Sequence, residues 1–322
     1  MSINVIHISK TPLVGAPGNI SYYLNCDEGF ESIHFMLNEY PGLLRGLFSK
    51  NSVKVDYDDK LVLEFFINKI KAADIIHIHN DIDDKTVNLL CEYSSKAEFI
   101  YHVHSPLREP PLFCDVTERL PFDFKRKLCV AQVYPRLYDK YTMVPNIIPH
   151  NGVRSISNNR KLVILFSPTH KRTKNMRFGG KYSEGMSNFI DQVKSNDNIE
   201  LWQPVKPIPP HALIGIRENA DISIDEIATG GFHQVSYEGL ACANAVINNS
   251  DYFSKQNFAT AIGADELPPF ISVDDDSICE VIDHCLNDRF WLENIKKRSL
   301  EYYKKFMMPQ RMVKIFEKIY ME

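Results

Sequence analysis

The sequence has few features that would staple or anchor it. Its seven cysteines (Cys26, Cys91, Cys114, Cys129, Cys242, Cys279 and Cys285) are odd in number, scattered and never spaced as Cys-x-x-Cys. That excludes a disulfide framework and a zinc finger or ribbon, and reads as reduced thiols in cytosol. No apolar run approaches the roughly 18 residues that span a bilayer, and the start Met1-Ser2-Ile3-Asn4-Val5-Ile6-His7 lacks the basic and long apolar regions of a signal peptide. A cytoplasmic chain is expected. Cations are not in excess: 37 Lys and Arg face 41 Asp and Glu, a net charge of −4. This argues against a surface built throughout for nucleic-acid phosphates and leaves room only for a local basic patch. Internal repeats and low-complexity tracts are absent too. What remains is ordinary globular composition over 322 residues, enough for roughly two domains of about 150 residues, each with its own core.

Short apolar runs alternate with stretches of helical period. Residues 3–8, 32–37, 74–79 and 98–103 read as strands. Between them, Leu61, Val62, Phe65, Phe66 and Ile70 fall on one helical stripe, and Val87, Leu90 and Cys91 on another that follows a cap at Asp83 or Asp84. The series halts at Val144-Pro145-Asn146-Ile147-Ile148-Pro149, before a polar stretch from Asn151 to Arg160. A second series follows, with strands over 162–166, 199–202, 221–225, 245–248 and 270–273 and helices near 187–195 and 236–243. From Asp288 apolar residues recur at near-helical spacing up to Ile319, and Pro309 predicts a break into two terminal helices. The fold class is therefore α/β, with two Rossmann-like doubly wound domains facing a cleft: 1–148, 149–305, and a terminal helix at 306–322 packing back on the first domain. Tyr302, Tyr303 and Phe306 beside Lys304 and Lys305 read as helix packing, with peripheral membrane contact as the other reading.

Ligands of such sheets sit beyond the carboxyl ends of the strands, so chemistry is sought there. After the first strand come Gly15, Ala16, Pro17 and Gly18 and then a helix, small residues that let backbone amides approach a phosphate. Their spacing is not the dinucleotide Gly-x-Gly-x-x-Gly, so no nicotinamide or flavin is expected. Histidines close two strands: His77 and His79, then His102 and His104. Alternation puts His102 and His104 on one sheet face, with His104 last before a Ser-Pro turn. Hydrogen bonding to backbone is favoured over metal ligation for these four, and no metal is expected. The strand over 162–166 runs into Lys171, Arg172, Lys174 and Arg177, four cations in seven residues that fit an anionic ligand such as a diphosphate. Asp221 to Ile247 reads strand, glycine turn, helix, strand. Its Gly230 and Gly231 open amide donors to a phosphate, and Glu238, inside the helix, can accept from vicinal ribose hydroxyls.

These segments together resemble retaining glycosyltransferases of the GT-B fold, family four (glycosyl transferases group 1). The family's strand ending in Ala-Asp, its glycine turn, glutamate and Ala-Met-Ala-Cys-Gly-x-Pro-Val-Val are matched by Ala220-Asp221, Gly230-Gly231-Phe232, Glu238 and Gly239-Leu240-Ala241-Cys242-Ala243-Asn244-Ala245-Val246-Ile247. Val144-Pro145-Asn146 is similar to the interdomain Val-Pro-Asn, and Gly15-Ala16-Pro17-Gly18 to the first loop. The resemblance implies that Glu238 binds the nucleotide ribose. Lys174, with Lys171 or Arg172, holds the donor diphosphate, His104 lies near the transferred sugar, and Gly15 to Gly18 face the pyrophosphate and acceptor. It implies no cofactor and no metal, only a nucleotide sugar such as a UDP- or GDP-sugar as co-substrate, and a carbohydrate or lipid-linked acceptor. Gly230 stands where the family usually carries another glutamate, and His233, Gln234 and Glu226 are candidates to replace it. Two other functions share these features: sugar transfer onto a modified DNA nucleobase, as some phage proteins of this fold perform, and non-catalytic nucleotide-sugar binding.

Overall fold

Strands form where the β-branched runs predict them. The computed structural model of the chain describes all residues except 1, 40–50, 105–112, 114, 115, 132–137, 139, 154–160, 168–182, 205–207, 228 and 229. It divides into two units, one of residues 1–107, 111–147 and 310–322, the other of 108–110 and 148–309.

In the first unit the chain runs through β1 (Ile3–Ser9), α1 (Ala16–Leu24), β2 (Phe30–Met36), β3 (Ser52–Lys54), α2 (Lys60–Ala72), β4 (Ile75–His79), α3 (Asp84–Tyr93), β5 (Glu98–Val103), α4 (Val116–Arg119), β6 (Phe124–Val130) and β7 (Thr142–Val144). All pairings are parallel, in the order β3-β2-β1-β4-β5-β6-β7, so strand order reverses between β1 and β4. One face carries Ile6, Ile8, Phe35, Ile76, Ile78, Tyr101 and Val103, packed on Phe66 and Ile70 of α2 and Leu90 of α3. Asp59 and Asp83 cap those helices by accepting from the first-turn amides. The stripe expected on α2 is only half used. Phe66 and Ile70 are buried, whereas Leu61 is 77% exposed and Phe65 40% exposed with its ring edge on Phe35, because the helix meets the sheet through a narrower face than the sequence offers.

The second unit contains β8 (Leu162–Phe166), α5 (Glu184–Lys194), β9 (Ile199–Trp202), α6 (Pro210–Arg217), β10 (Ile222–Ile224), α7 (Gln234–Ala241), β11 (Ala245–Asn248), α8 (Tyr252–Ile262), β12 (Ile271–Ser272), α9 (Ile278–Asn287) and α10 (Arg289–Tyr302). Its parallel sheet runs β12-β11-β10-β8-β9, reversing between β8 and β10. Here both faces are apolar. Leu162, Ile164 and Phe166 pack on Met186 and Phe189 of α5, while Val163 and Leu165 pack on Ala220, Leu213 and Ile216. A strand covered on both sides has to read as an unbroken apolar run, as Leu-Val-Ile-Leu-Phe does. Asp221, the end of the Ala-Asp motif, binds structure together: its carboxylate accepts from Val163 N at 3.0 Å and from the buried Lys296 Nζ of α10 at 2.6 Å. Helix α7 stops two residues short of the expected 243, where Ala243 turns left-handed at φ 57°. After α10 a wide turn over Tyr303–Met307 leads to α11 (Pro309–Met321). Pro309 opens that helix, where its missing N–H costs nothing.

Gly239 lets α7 lie close on the sheet. A Cβ there would stand 2.7 Å from Val246 Cγ2 and 3.2 Å from Ser223 Cβ. Gly239→Ala is therefore expected to lose about 1–3 kcal/mol to overpacking, more than the ~1 kcal/mol that alanine gains in a helix; a denaturant midpoint at or above wild type would contradict this. The six described cysteines are free thiols. Burial pushes Cys129, Cys242 and Cys285 up to about 12, which keeps them unreactive. Among the described residues no helix is long and apolar enough to cross a membrane.

Candidate functional site

Each sheet has one point where strand order reverses, and in open α/β sheets the crevice beyond the strand ends opens there. In the first unit that point lies between β1 and β4, and the residues that reach it are histidines. Register pairs His7 with both His34 and His77, and Ser9 with His79, which in turn pairs with His102. Since side chains alternate, these residues share the face opposite the aliphatic core. His7 Nδ1 faces His79 Nε2 at 2.9 Å, His79 Nδ1 faces His104 Nε2 at 2.7 Å, and His77 Nδ1 faces the Tyr320 hydroxyl of α11 at 2.7 Å. At the far end His34 bridges the Ser9 and Ser52 hydroxyls. Among the described residues, four ring nitrogens, His7 Nε2, His77 Nε2 and both of His102, have no hydrogen-bond partner, each an expense of about 1–3 kcal/mol for a buried polar atom. Burial, then like-charged neighbours, pushes His7, His77, His79 and His102 well below the ordinary imidazole range; burial takes His34 down to about 3, and burial with the neighbouring His34 takes His104 there too. The cluster is neutral at pH 7.

His104 is the partly exposed member. Its backbone N–H donates to Asn80 Oδ1 at 2.7 Å, and its ring lies 3.9 Å from that of His102. Asn80 follows β4 with φ 59°, a left-handed turn that asparagine tolerates, and thereby aims its amide at the neighbouring strand end. A neutral imidazole here can hydrogen-bond a hydroxyl but carries no charge. The loop after β1 is strained: Leu13, Val14 and Gly15 are left-handed in succession, at φ 48°, 55° and 84°, and only the last is a glycine. A β-branched residue there costs about 1–3 kcal/mol. Gly15 caps α1, Ala16, Pro17 and Gly18 are buried in its first turn, and Asn19 Nδ2 fastens that turn to Ile147 O at 3.0 Å.

In the second unit the reversal lies between β8 and β10. The chain leaves β8 at Phe166, and Lys171, Arg172 and Lys174, which follow in sequence, lie outside the described residues. The chain leaves β10 into Asp225 and the glycine turn. Gly230 is left-handed at φ 75°, and its carbonyl accepts from Asp251 N at 2.9 Å, fixing the turn to the start of α8. Phe232 turns inward against Tyr237, Phe258 and Phe270, so its side chain is core. Asp225 takes the mouth of α7, accepting from His233 N at 2.5 Å and Ser236 Oγ at 2.8 Å, with the His233 ring at 3.2 Å. Glu238 lies one turn into α7, and its carboxylate is 4% exposed: Gln234 Nε2 donates to one oxygen at 3.1 Å, and the fully buried Arg217 guanidinium lies 3.1 Å from the other. Burial raises the Glu238 carboxyl, although Arg217 and Gln234 oppose the shift. Arg217 also donates to Ser223 Oγ at 2.9 Å and Ser167 Oγ at 3.3 Å, joining the ends of β8 and α6 to the floor of α7.

The sequence-derived residues thus fall into two groups. Gly15 to Gly18 and His104 belong to the first unit's reversal point, and Gly230, Gly231, His233, Gln234 and Glu238 to the second's. Glu226, a candidate for the missing glutamate, is fully buried. Sequence reading missed His7, His34 and Tyr320 in the first group and Asp225 and Arg217 in the second. His7 and His34 carry the same apolar–histidine alternation as His77 and His102; Arg217 gave no signal beyond ending a helix.

No family model and no curated protein matches the chain. Solved structures do, over nearly the full length of both chains. A glycosyltransferase from Rickettsia africae ESF-5 is 14% identical with a TM-score of 0.61, covering 99% of this chain and 98% of the other. A sucrose-phosphate synthase from Thermosynechococcus elongatus is 11% identical with a TM-score of 0.61, covering 98% of each. An alpha-glucosyltransferase in complex with UDP and a mismatched 13-mer DNA is 12% identical with a TM-score of 0.60, covering 100% of each. At such identities the likeness is one of fold.

Proposed function

From a chain of GT-B fold, we propose a glycosyltransferase that moves a sugar from a nucleoside-diphosphate donor to an acceptor hydroxyl, with retention of anomeric configuration, in polysaccharide or glycoconjugate synthesis in the cytoplasm. The observation that carries this reading is the full-length match of both α/β units to glycosyltransferase structures, joined to a glycine turn at the strand-order reversal of each unit, Gly15 in one and Gly230 in the other. The second unit takes the donor. Gly230 and Gly231 present backbone to the diphosphate, Lys171, Arg172 and Lys174 neutralise it, and Glu238, held by Arg217 and Gln234, receives the ribose hydroxyls. The first unit takes the acceptor along Gly15 to Gly18, with neutral His104 hydrogen-bonding the sugar. Transfer then depends on stabilising the departing diphosphate and an oxocarbenium-like sugar, which fixed amides and cations do at no reorganisation cost.

Isothermal titration with UDP, GDP, ADP and TDP tests this. One of them is expected to bind at one equivalent, and Lys174→Ala to weaken it by about 1.5–3 kcal/mol, the worth of a charge-assisted hydrogen bond; no binding by any nucleotide would remove the reading. Slow hydrolysis of the matching nucleotide sugar separates an enzyme from a protein that only binds it.

One observation favours a second reading. The alpha-glucosyltransferase neighbour is a complex with UDP and DNA, and Lys171, Arg172, Lys174, Arg177 and Lys181 could supply phosphate contacts in this chain. Salt-sensitive retardation of duplex DNA supports a nucleobase acceptor, and its absence leaves the carbohydrate acceptor.

A further inference from the structure

Among the described residues the histidine face of the first sheet has more ring nitrogens than partners for them, and where His104 ends the row three of them converge. We propose that His79, His102 and His104 hold one transition-metal ion of the kind that imidazole favours, zinc among them. His79 and His102 are directly paired positions on adjacent strands, and His104 follows two residues later on the same face. One ring nitrogen from each lies within 4.8 Å of the others. His79 Nδ1 and His104 Nε2 already face each other at 2.7 Å, and both nitrogens of the fully buried His102 have no partner among the described residues. Zinc–imidazole bonds of about 2.0–2.1 Å in a tetrahedral site put ligand nitrogens roughly 3.4 Å apart, so small ring rotations suffice.

The donor set selects the ion. Three neutral imidazoles with neither carboxylate nor carbonyl oxygen suit zinc, cobalt, nickel or copper and not magnesium or calcium. With the His79 proton on Nε2, that N–H donates to His7 Nδ1 at 2.9 Å and leaves His79 Nδ1 free to ligate, the outer contact metal-bound histidines usually have. His7, His77 and His79 also converge within 4.8 Å, but all three are fully buried, whereas His104 gives the outer triad an entrance. The lack of a cysteine motif has no bearing on an all-imidazole set. The site requires no nucleotide; it shares His104 with the transferase reading but rests on the ring geometry alone.

The test uses the full chain, stripped with a chelator and dialysed, then titrated with Co2+ and displaced with Zn2+. One equivalent of Co2+ is expected to give the visible d–d bands of a tetrahedral site. His102→Asn and His104→Ala are each expected to abolish them. His34→Asn, whose ring bonds Ser9 and Ser52 instead, is expected to keep them, and His7→Asn to weaken binding roughly 10–100-fold. Circular dichroism establishes that each variant is folded; if His102→Asn is not, the partly exposed His104→Ala decides alone. A wild-type chain that binds no stoichiometric Co2+, bands that survive His104→Ala, or bands lost only with the exposed His211→Gln, each overturn the site. Nucleotide titration of the same stripped samples reads the transferase hypothesis separately.

Discussion

Arg217→Met is expected to destabilise the second unit by about 3–5 kcal/mol, the typical result of removing one partner from a buried ion pair. Glu238 would stay behind as a carboxylate that is 4% exposed, with the Gln234 amide as its remaining donor among the described residues, and Ser223 and Ser167 would each lose a donor. Methionine fills most of the volume, so the loss measures the stranded charge more than a cavity. Arg217→Met with Glu238→Leu removes both charges and is expected to return most of the stability, since a buried pair contributes little over an apolar one of similar size. The measurement is simple because the chain has two tryptophans, Trp202 and Trp291, and both lie in the second unit: denaturant unfolding followed by tryptophan fluorescence reports on that unit alone. A single variant within 1 kcal/mol of wild type would mean that Glu238 is not buried against Arg217.

The same pair explains how much of the site was legible. Glu238 stands out as a carboxylate in a helix that follows a double glycine, a local pattern. Arg217 ends Pro-His-Ala-Leu-Ile-Gly-Ile-Arg, where a basic residue ordinarily faces solvent and favours the helix dipole; its burial comes from Ser167, Ser223 and Glu238, which are 50, 6 and 21 positions away. Lys296 is similar, a lysine on an amphipathic helix whose partner Asp221 is 75 residues off. Strands were legible wherever isoleucine and valine cluster. They were missed at β3 and β7, Ser-Val-Lys and Thr-Met-Val, each with a single aliphatic β-branched residue, and at β6, where Lys125, Arg126 and Lys127 interrupt the apolar pattern. The histidine face was half legible: alternation places His102 beside His104, but only the pairing of β2, β1, β4 and β5 brings His34, His7, His77 and His79 into one row. Register across separate strands is non-local information.

That row makes the first unit acid-sensitive in a direction the shifts fix. In the metal-stripped folded chain His34 and His104 protonate only near pH 3, whereas unfolded imidazoles protonate near pH 6.5. Above pH 6.5 both states are neutral and stability is insensitive to these groups. Between pH 6.5 and about 3 the unfolded chain binds more protons, so stability falls as pH falls, by about 1.4 kcal/mol per pH unit for each such histidine. These two alone account for about 4 kcal/mol by pH 5, and His7, His77, His79 and His102, shifted in the same direction, steepen the loss. Against an ordinary domain stability of about 5–15 kcal/mol, the first unit is expected to open between pH 6 and 4. Amide hydrogen exchange in β1, β4 and β5, followed with a chelator present as pH is lowered, measures this opening; protection in those strands that is unchanged from pH 7 to pH 4 would show that the histidines are not held neutral by burial.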